Sequence, residues 1–149
     1  MDLRDLYQTT ILDHNRQPRN FGRLAAANRR ADGHNPLCGD KLKLELAITD
    51  GTISDLRWEG NGCAISQASA SLMSESIKGK SVEDAIKLFD RFHEFVTRSE
   101  DTPPVDTELG KLAVFSGVRE FPVRVKCATL AWHTLRAAVL DEKSVVSTE

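Results

Sequence analysis

Apolar residues recur along this chain with two different periods, and the switches between those periods outline its elements. Leu3, Leu6, Tyr7, Thr10 and Ile11 step by three and four with polar residues between them, predicting a short amphipathic helix that ends near His14-Asn15. Gln17-Pro18-Arg19-Asn20-Phe21-Gly22 breaks the pattern, and the polar stretch on to Asn35-Pro36 reads as loop, punctuated by Gly33 and Pro36. Leu42, Leu44, Leu46 and Ile48 then alternate with Lys41, Lys43, Glu45 and Ala47, which predicts a strand with one apolar face. Asp50-Gly51 suits a type I′ hairpin turn. The returning strand starts at Ile53, but Leu56 and Trp58 are out of phase with it, so a β-bulge near Ser54-Asp55 is needed to restore the register.

The period changes again after Gly60-Asn61-Gly62. Ala64 to Ile77 is rich in Ala, Ser, Leu and Met, predicting a closely packed helix closed by Gly79. Ser81 followed by Glu83 and Asp84 reads as an N-cap with acids in the first turn of a helix whose apolar face is Val82, Ile86, Phe89, Phe92 and Val96. Ser99 to Val105, with Pro103-Pro104, is a connector, and Thr107 to Phe115 is a shorter helical candidate stopping near Gly117. After Pro122, the series Val125, Ala128, Trp132, Leu135 and Val139 predicts the best-marked helix of the chain. Asp141 to Glu149 loses the pattern and is expected to fray.

With 149 residues, no internal repeat and no boundary, residues 1–149 read as one domain. Apolar residues at 40% and charged residues at 28% are a globular balance, with no run able to cross a bilayer. A net charge of −2 with interspersed signs argues against nucleic acid as a partner, and Arg29-Arg30 is expected in a solvated loop. Met1-Asp2-Leu3-Arg4-Asp5 does not resemble the start of a secretory signal, so a cytoplasmic location is expected. Three cysteines, an odd number, then disfavour a disulfide framework.

Those cysteines carry the candidate chemistry. Cys38, Cys63 and Cys127 lie far apart, and no two form a CxxC pair, which excludes a local zinc ribbon. Cys63 opens a predicted helix, where free backbone N–H groups and the helix dipole favour a thiolate. Cys127 lies one turn after Arg124, whose guanidinium would stabilise a thiolate or orient an incoming anion. Cys38-Gly39-Asp40 precedes the first predicted strand, with a glycine that lets sulfur and carboxylate turn toward one centre. Three thiolates and the Asp40 carboxylate would make a chemically reasonable tetrahedral set for Zn²⁺, with Zn–S near ~2.3 Å. Spacing alone leaves open whether these groups meet, since a single cysteine is commonly a small buried hydrophobe and an aspartate a turn residue. His14, His34, His93 and His133 read as core or surface residues, and Trp58 and Trp132 as core. There is no Ser/His/Asp arrangement, Walker loop or dinucleotide fingerprint.

Four stretches together resemble the U-type iron–sulfur assembly family, which includes IscU, the NifU N-terminal domain and SufU. They are residues 13–22 (DHNRQPRNFG), 35–40 (NPLCGD), 60–66 (GNGCAIS) and 121–128 (FPVRVKCA). Lys126 stands where the IscU pattern has a histidine, and the interval from Cys63 to Cys127 is long, both features similar to the SufU branch. The insertion of that branch would fall between His93 and Leu109.

The resemblance implies an α+β fold of the SufE/IscU type, a small antiparallel sheet packed against helices. It implies Zn²⁺ held by Cys38, Asp40, Cys63 and Cys127, with Cys38 as sulfur acceptor and Arg124 assisting the transfer. The implied partners are a pyridoxal-phosphate-dependent cysteine desulfurase of the SufS type and, downstream, a SUF scaffold or apo iron–sulfur proteins. A desulfurase histidine would take the zinc position that Cys38 vacates. The expected function is that of a zinc-dependent sulfur carrier, a sulfurtransferase-like protein that stimulates the desulfurase rather than a stand-alone enzyme. The alternative is a scaffold that builds a [2Fe–2S] cluster on the three cysteines, because thiolates suit iron and iron–sulfur clusters as well as zinc. A purely structural zinc adaptor is a third reading.

Overall fold

The computed structural model describes residues 3–97, 109–118, 121–141 and 146–147. Its elements in chain order are α1 (Leu3–Arg16), β1 (Arg29–Asn35), β2 (Asp40–Thr49), β3 (Thr52–Asn61), α2 (Ala64–Ile77), α3 (Val82–Thr97), a 3₁₀ segment (Gly110–Val118), α4 (Pro122–Val139) and β4 (Val146–Ser147). The strands form one sheet in the order β3-β2-β1-β4. α2 and α4 pack on one face of it, with α1 against α2 and α3 against α4. This is the expected α+β architecture with one correction. β1, β2 and β3 pair antiparallel, but β4 pairs parallel to β1, so the sheet is mixed.

The β2–β3 hairpin follows its sequence signals. Asp50 and Gly51 both have positive φ, 51° and 75°, as a type I′ turn requires. Ile48 pairs with Ile53 and Ala47 with Asp55, leaving Ser54 as the extra residue of the bulge. That single insertion lets Ile53, Leu56 and Trp58 all reach the core.

β1 overturns the expectation of a loop as far as Asn35-Pro36. Its inward positions are Ala31, Gly33 and Asn35, a set with almost no hydrophobic signal. α4 lies so close to this strand that a Cβ on Gly33 would overlap Thr134 Oγ1 and press on Leu130. Small side chains are therefore the condition for packing here, not a mark of loop. Arg29 and Arg30 consequently lie in a strand, and Arg30 pairs with Glu45 across it at 2.9 Å. Of the tail expected to fray, Val146 and Ser147 pair with Gly33 and His34 along the outer edge of β1, while residues 142–145 and 148–149 lie outside the described residues.

The helices differ from expectation in detail. α2 has the predicted limits, and Gly79 follows it with φ 87°. Ser81 caps α3 by accepting the Asp84 N–H at 3.0 Å. The buried face of α3 is Ala85, Leu88, Phe89, Phe92, Phe95 and Val96, with Val82 and Ile86 at its margin. Phe92 stacks on Trp132 at 4.8 Å and meets Phe115 edge-on, so α3, α4 and the 3₁₀ segment share one aromatic cluster. Part of the helical candidate 107–115 forms this 3₁₀ segment; Thr107 and the connector 99–105 lie outside the described residues. Among the described residues no helix is long and apolar enough to cross a membrane.

Residues 13–22 act as a clamp between α2 and β3. Trp58 donates its indole N–H to Arg19 O at 2.8 Å, and Asn20, with φ 57°, donates its amide to Ser74 Oγ. The Ser71 hydroxyl accepts the Arg19 N–H at 2.9 Å and is hydrogen-bonded to His14 Nδ1, 2.6 Å away. Burial, helped by nearby Arg19, holds His14 below the ordinary histidine value.

Two outcomes are expected. Gly33→Ala should lower the urea midpoint by an amount equivalent to about 1–3 kcal/mol, part of it recovered by adding Thr134→Ala; equal midpoints for Gly33→Ala and wild type would refute the close approach. Because the folded His14 resists protonation, the unfolded chain binds the extra proton as pH falls below about 6.5, so stability drops there. Urea midpoints from pH 8 to pH 5 should thus converge for wild type and His14→Gln on the acid side, and parallel profiles would contradict this.

Candidate metal centre

The centre forms where three chain reversals meet at one end of the sheet. The first is the four-residue loop Pro36–Gly39 between β1 and β2, closed by the Asn35–Asp40 strand pair. Gly39 takes φ 71°, and Cys38 stands half-buried at the tip. The second is the β3–α2 junction. Cys63 is the N-cap of α2, its sulfur accepting the Ser66 N–H at 3.4 Å. The third is the first turns of α4, which bury Cys127 at 2% exposure. Ser69 Oγ donates to Ala128 O at 2.5 Å, tying α2 to α4 beside Cys127 and so relating two of the sulfur-bearing segments.

Asp40 sits at the crossing of these segments and is fully buried. Its Oδ1 accepts the Cys63 backbone N–H at 2.8 Å, and its Oδ2 lies 3.9 Å from Cys63 Sγ. Gly62, with φ 156°, leaves the space for this, since any Cβ there would overlap the Asp40 carboxylate. Cys127 Sγ lies 3.0 Å from Cys38 Sγ. One ligand atom each from Cys38, Asp40 and Cys127 falls within 4.8 Å of the other two. Sequence spacing left that meeting open; the fold brings Cys38, Asp40 and Cys127 together and sets Cys63 against Asp40.

The donor chemistry fits a soft cation. Burial pushes the Cys127 thiol far up, and the adjacent Cys38 and Cys63 sulfurs and the Asp40 carboxylate push it the same way. Three sulfurs and a carboxylate in a poorly solvated space repel one another when ionised. A divalent ion reverses that balance, and thiolate with carboxylate is a set that zinc accepts. No histidine joins them. His14 bonds to Ser71, His34 lines an open trough with Phe21, Lys41 and Glu59, and His93 and His133 pack together beside Phe89.

From the sequence, Arg124 is expected either to stabilise a thiolate or to orient an incoming anion. It is exposed on the first turn of α4, its guanidinium 4.6 Å over the Phe121 ring. Among the described residues no hydrogen bond or ion pair is formed by it. Sequence reasoning missed Asn35, which is fully buried and donates from Nδ2 toward Asp40 Oδ2 at 3.4 Å and Cys127 Sγ at 3.5 Å. The one signal for it was its place three residues before Cys38.

Comparison with known proteins adds what geometry cannot. A model of the NifU-like N terminal domain matches residues 6–128. The chain belongs to this family. It is 39% identical to the zinc-dependent sulfurtransferase SufU of Bacillus subtilis, over 95% of each chain. It is also 39% identical to the iron–sulfur cluster assembly scaffold protein IscU of Streptococcus pyogenes, covering 92% of this chain and 84% of that one. Among solved structures, a SUF-system scaffold protein from Fervidobacterium islandicum superposes with a TM-score of 0.81 at 32% identity, over 91% of this chain and 97% of its own. Members of the family are thus iron–sulfur cluster assembly proteins, and this chain is one of them.

Gly62→Ala tests how the centre is built. It should leave the helical circular dichroism intact while weakening divalent-metal binding about 10–100-fold, as loss of an outer contact to a ligand does. Competition with a chromogenic chelator measures this, and unchanged affinity would show that Asp40 does not depend on the gap at Gly62.

Proposed function

We propose that the protein is a zinc-dependent sulfur carrier of SUF-type iron–sulfur cluster assembly, taking persulfide sulfur from a cysteine desulfurase onto Cys38. The observation that carries this reading is the unequal anchoring of three converging sulfurs. Cys127 is buried within α4, and Cys63 is held by its own N–H on Asp40 and its sulfur on the Ser66 N–H. Cys38 is at the tip of a short loop beside Leu37, which is 62% exposed. Of the three, Cys38 is the one that can leave the cluster and meet a partner without unwinding a helix.

Cys38, Asp40, Cys63 and Cys127 are the residues that would hold Zn²⁺. When bound, the ion keeps the thiolates deprotonated and offsets their charge. The transfer itself needs no oxidant. The Cys38 thiolate attacks the terminal sulfur of the desulfurase persulfide, the S–S bond of the donor breaks, and its cysteine leaves as thiolate while Cys38 retains the new persulfide. Arg124, exposed and steadied by Phe121, supplies a positive charge to the incoming anionic group. The partner is a pyridoxal-phosphate-dependent desulfurase of the SufS type, and the sulfur passes on to a SUF scaffold or to apo iron–sulfur proteins. A cytoplasmic setting keeps the three thiols reduced. The protein is in this reading a carrier that stimulates its desulfurase rather than an enzyme on its own.

The names of the IscU relatives favour a second reading, assembly of a [2Fe–2S] cluster on the same cysteines. Lys126, an ammonium beside Cys127 in sequence, offers no imidazole ligand to such a cluster and supports the carrier instead.

Metal analysis followed by desulfurase turnover separates the two. The carrier should contain one zinc per chain, raise turnover, and lose persulfide labelling to background in Cys38→Ala while folding normally. Persulfide at wild-type level on the Cys38→Ala protein would sink the acceptor role. Iron with visible charge-transfer absorption would favour the scaffold.

A further inference from the structure

Asn35 is an amide donor set among the sulfurs and the carboxylate of the centre, and its two ends are treated unequally. Its Nδ2 has two protons and two partners, Asp40 Oδ2 at 3.4 Å and Cys127 Sγ at 3.5 Å. Its Oδ1 is buried with no partner among the described residues. Flipping the amide would set a carbonyl oxygen against a carboxylate, so the orientation follows from the neighbours. A buried amide half left unsatisfied is unfavourable, and it persists where the other half does something that needs an amide.

The effect on Asp40 is specific. Oδ1 is tied by the Cys63 N–H and Oδ2 by Asn35, so the carboxylate cannot rotate away from the sulfurs. The same amide fixes Cys127. Cys38 receives no donor from Asn35, although it is only three residues further along the chain. Cys63 is held independently, by its N–H on Asp40 and its sulfur on the Ser66 N–H, so of the four groups Cys38 alone lacks a donor from Asn35 or from a helix cap.

We propose that Asn35 is a positioning residue that holds Asp40 and Cys127 as a fixed pair of metal ligands, confining ligand release to Cys38. This deepens the zinc-carrier reading and rests on it. Asn35→Asp keeps the shape of the side chain while replacing the donor with an acceptor, and Asn35→Ala removes both.

The test uses the full chain loaded with Zn²⁺ or Co²⁺. Transfer of Zn²⁺ to a chromogenic chelator should be about 10-fold or more faster in both variants. The Co²⁺ ligand-field bands should shift, and brief alkylation read by mass spectrometry should modify Cys127 as well as Cys38, where wild type reacts at Cys38 alone. Far-UV circular dichroism and melting of the metal-free proteins provide the control, since a purely structural role would lower stability with and without metal alike. Wild-type release rates, Co²⁺ spectrum and labelling pattern in both variants would overturn the proposal, as would variants that fail to fold even with metal present. If wild type binds no metal, it is the carrier reading that fails, which separates the two claims.

Discussion

Keeping the Asp40 carboxylate out of water is the constraint around which this end of the molecule is arranged. A buried carboxylate must be hydrogen-bonded or neutralised. Asp40 meets the first condition through the Cys63 N–H and Asn35, which requires the β3–α2 turn and the start of β2 to touch. That contact requires glycine at position 62, because no side chain fits between the turn and the carboxylate. The same contact places Cys63 at the N-cap of α2. A single buried charge thus explains the glycine, the cap and the position of one sulfur.

The other sulfurs are positioned by close packing of small residues. α2 buries Ser66, Ala68, Ser69, Ala70, Ser71 and Ser74, and α4 buries Ala128, Thr129, Ala131 and Thr134. Short side chains bring the helices and β1 near enough for Ser69 to reach Ala128 O and for Thr134 to lie over Gly33. Larger residues would strengthen the hydrophobic core but push Cys127 away from Cys38 and Asp40. The buried hydroxyls are not left unpaired: Thr134 bonds back to Leu130 O, Thr129 to Val125 O, and Ser74 to Ser71 O.

What could be read from the sequence follows from which forces leave periodic traces. The β2–β3 hairpin was legible to the bulge, because strict alternation, Asp50-Gly51 and the phase slip after Ile53 are local signals. α2 was legible by its small-residue composition between bounding glycines, and α4 by helical period. β1 was not, since Ala31, Gly33 and Asn35 are small or polar where a hydrophobic reading looks for Val or Ile. β4 was missed because two residues have no period and are held by an edge formed far upstream. The chemistry divides in the same way. Local glycines marked Cys38 and Cys63 as special, but no spacing rule brings Cys127 to Cys38, and the motif resemblance supplied that expectation. Asn35 escaped because its partners are fixed only by the fold.

The unequal anchoring of the sulfurs also accounts for having three of them in three settings. A metal held by four equally rigid ligands is stable but gives no thiolate up to a reaction. Ligands that are all mobile hold the ion poorly. Here one sulfur is set inside a helix and one at a helix N-cap, and the carboxylate is tethered through both oxygens, while Cys38 hangs on a four-residue loop whose glycine tolerates a left-handed turn. In the proposed carrier the loop would supply the movement and the helices the stiffness, so that releasing Cys38 need disturb neither the sheet pairing nor the helix packing. The same geometry explains why Arg124 is outside the cluster. A cation between the thiolates would compete with a metal, whereas one on the exposed turn of α4, braced on Phe121, would leave the proposed ligand set intact and be available to an anion brought to Cys38.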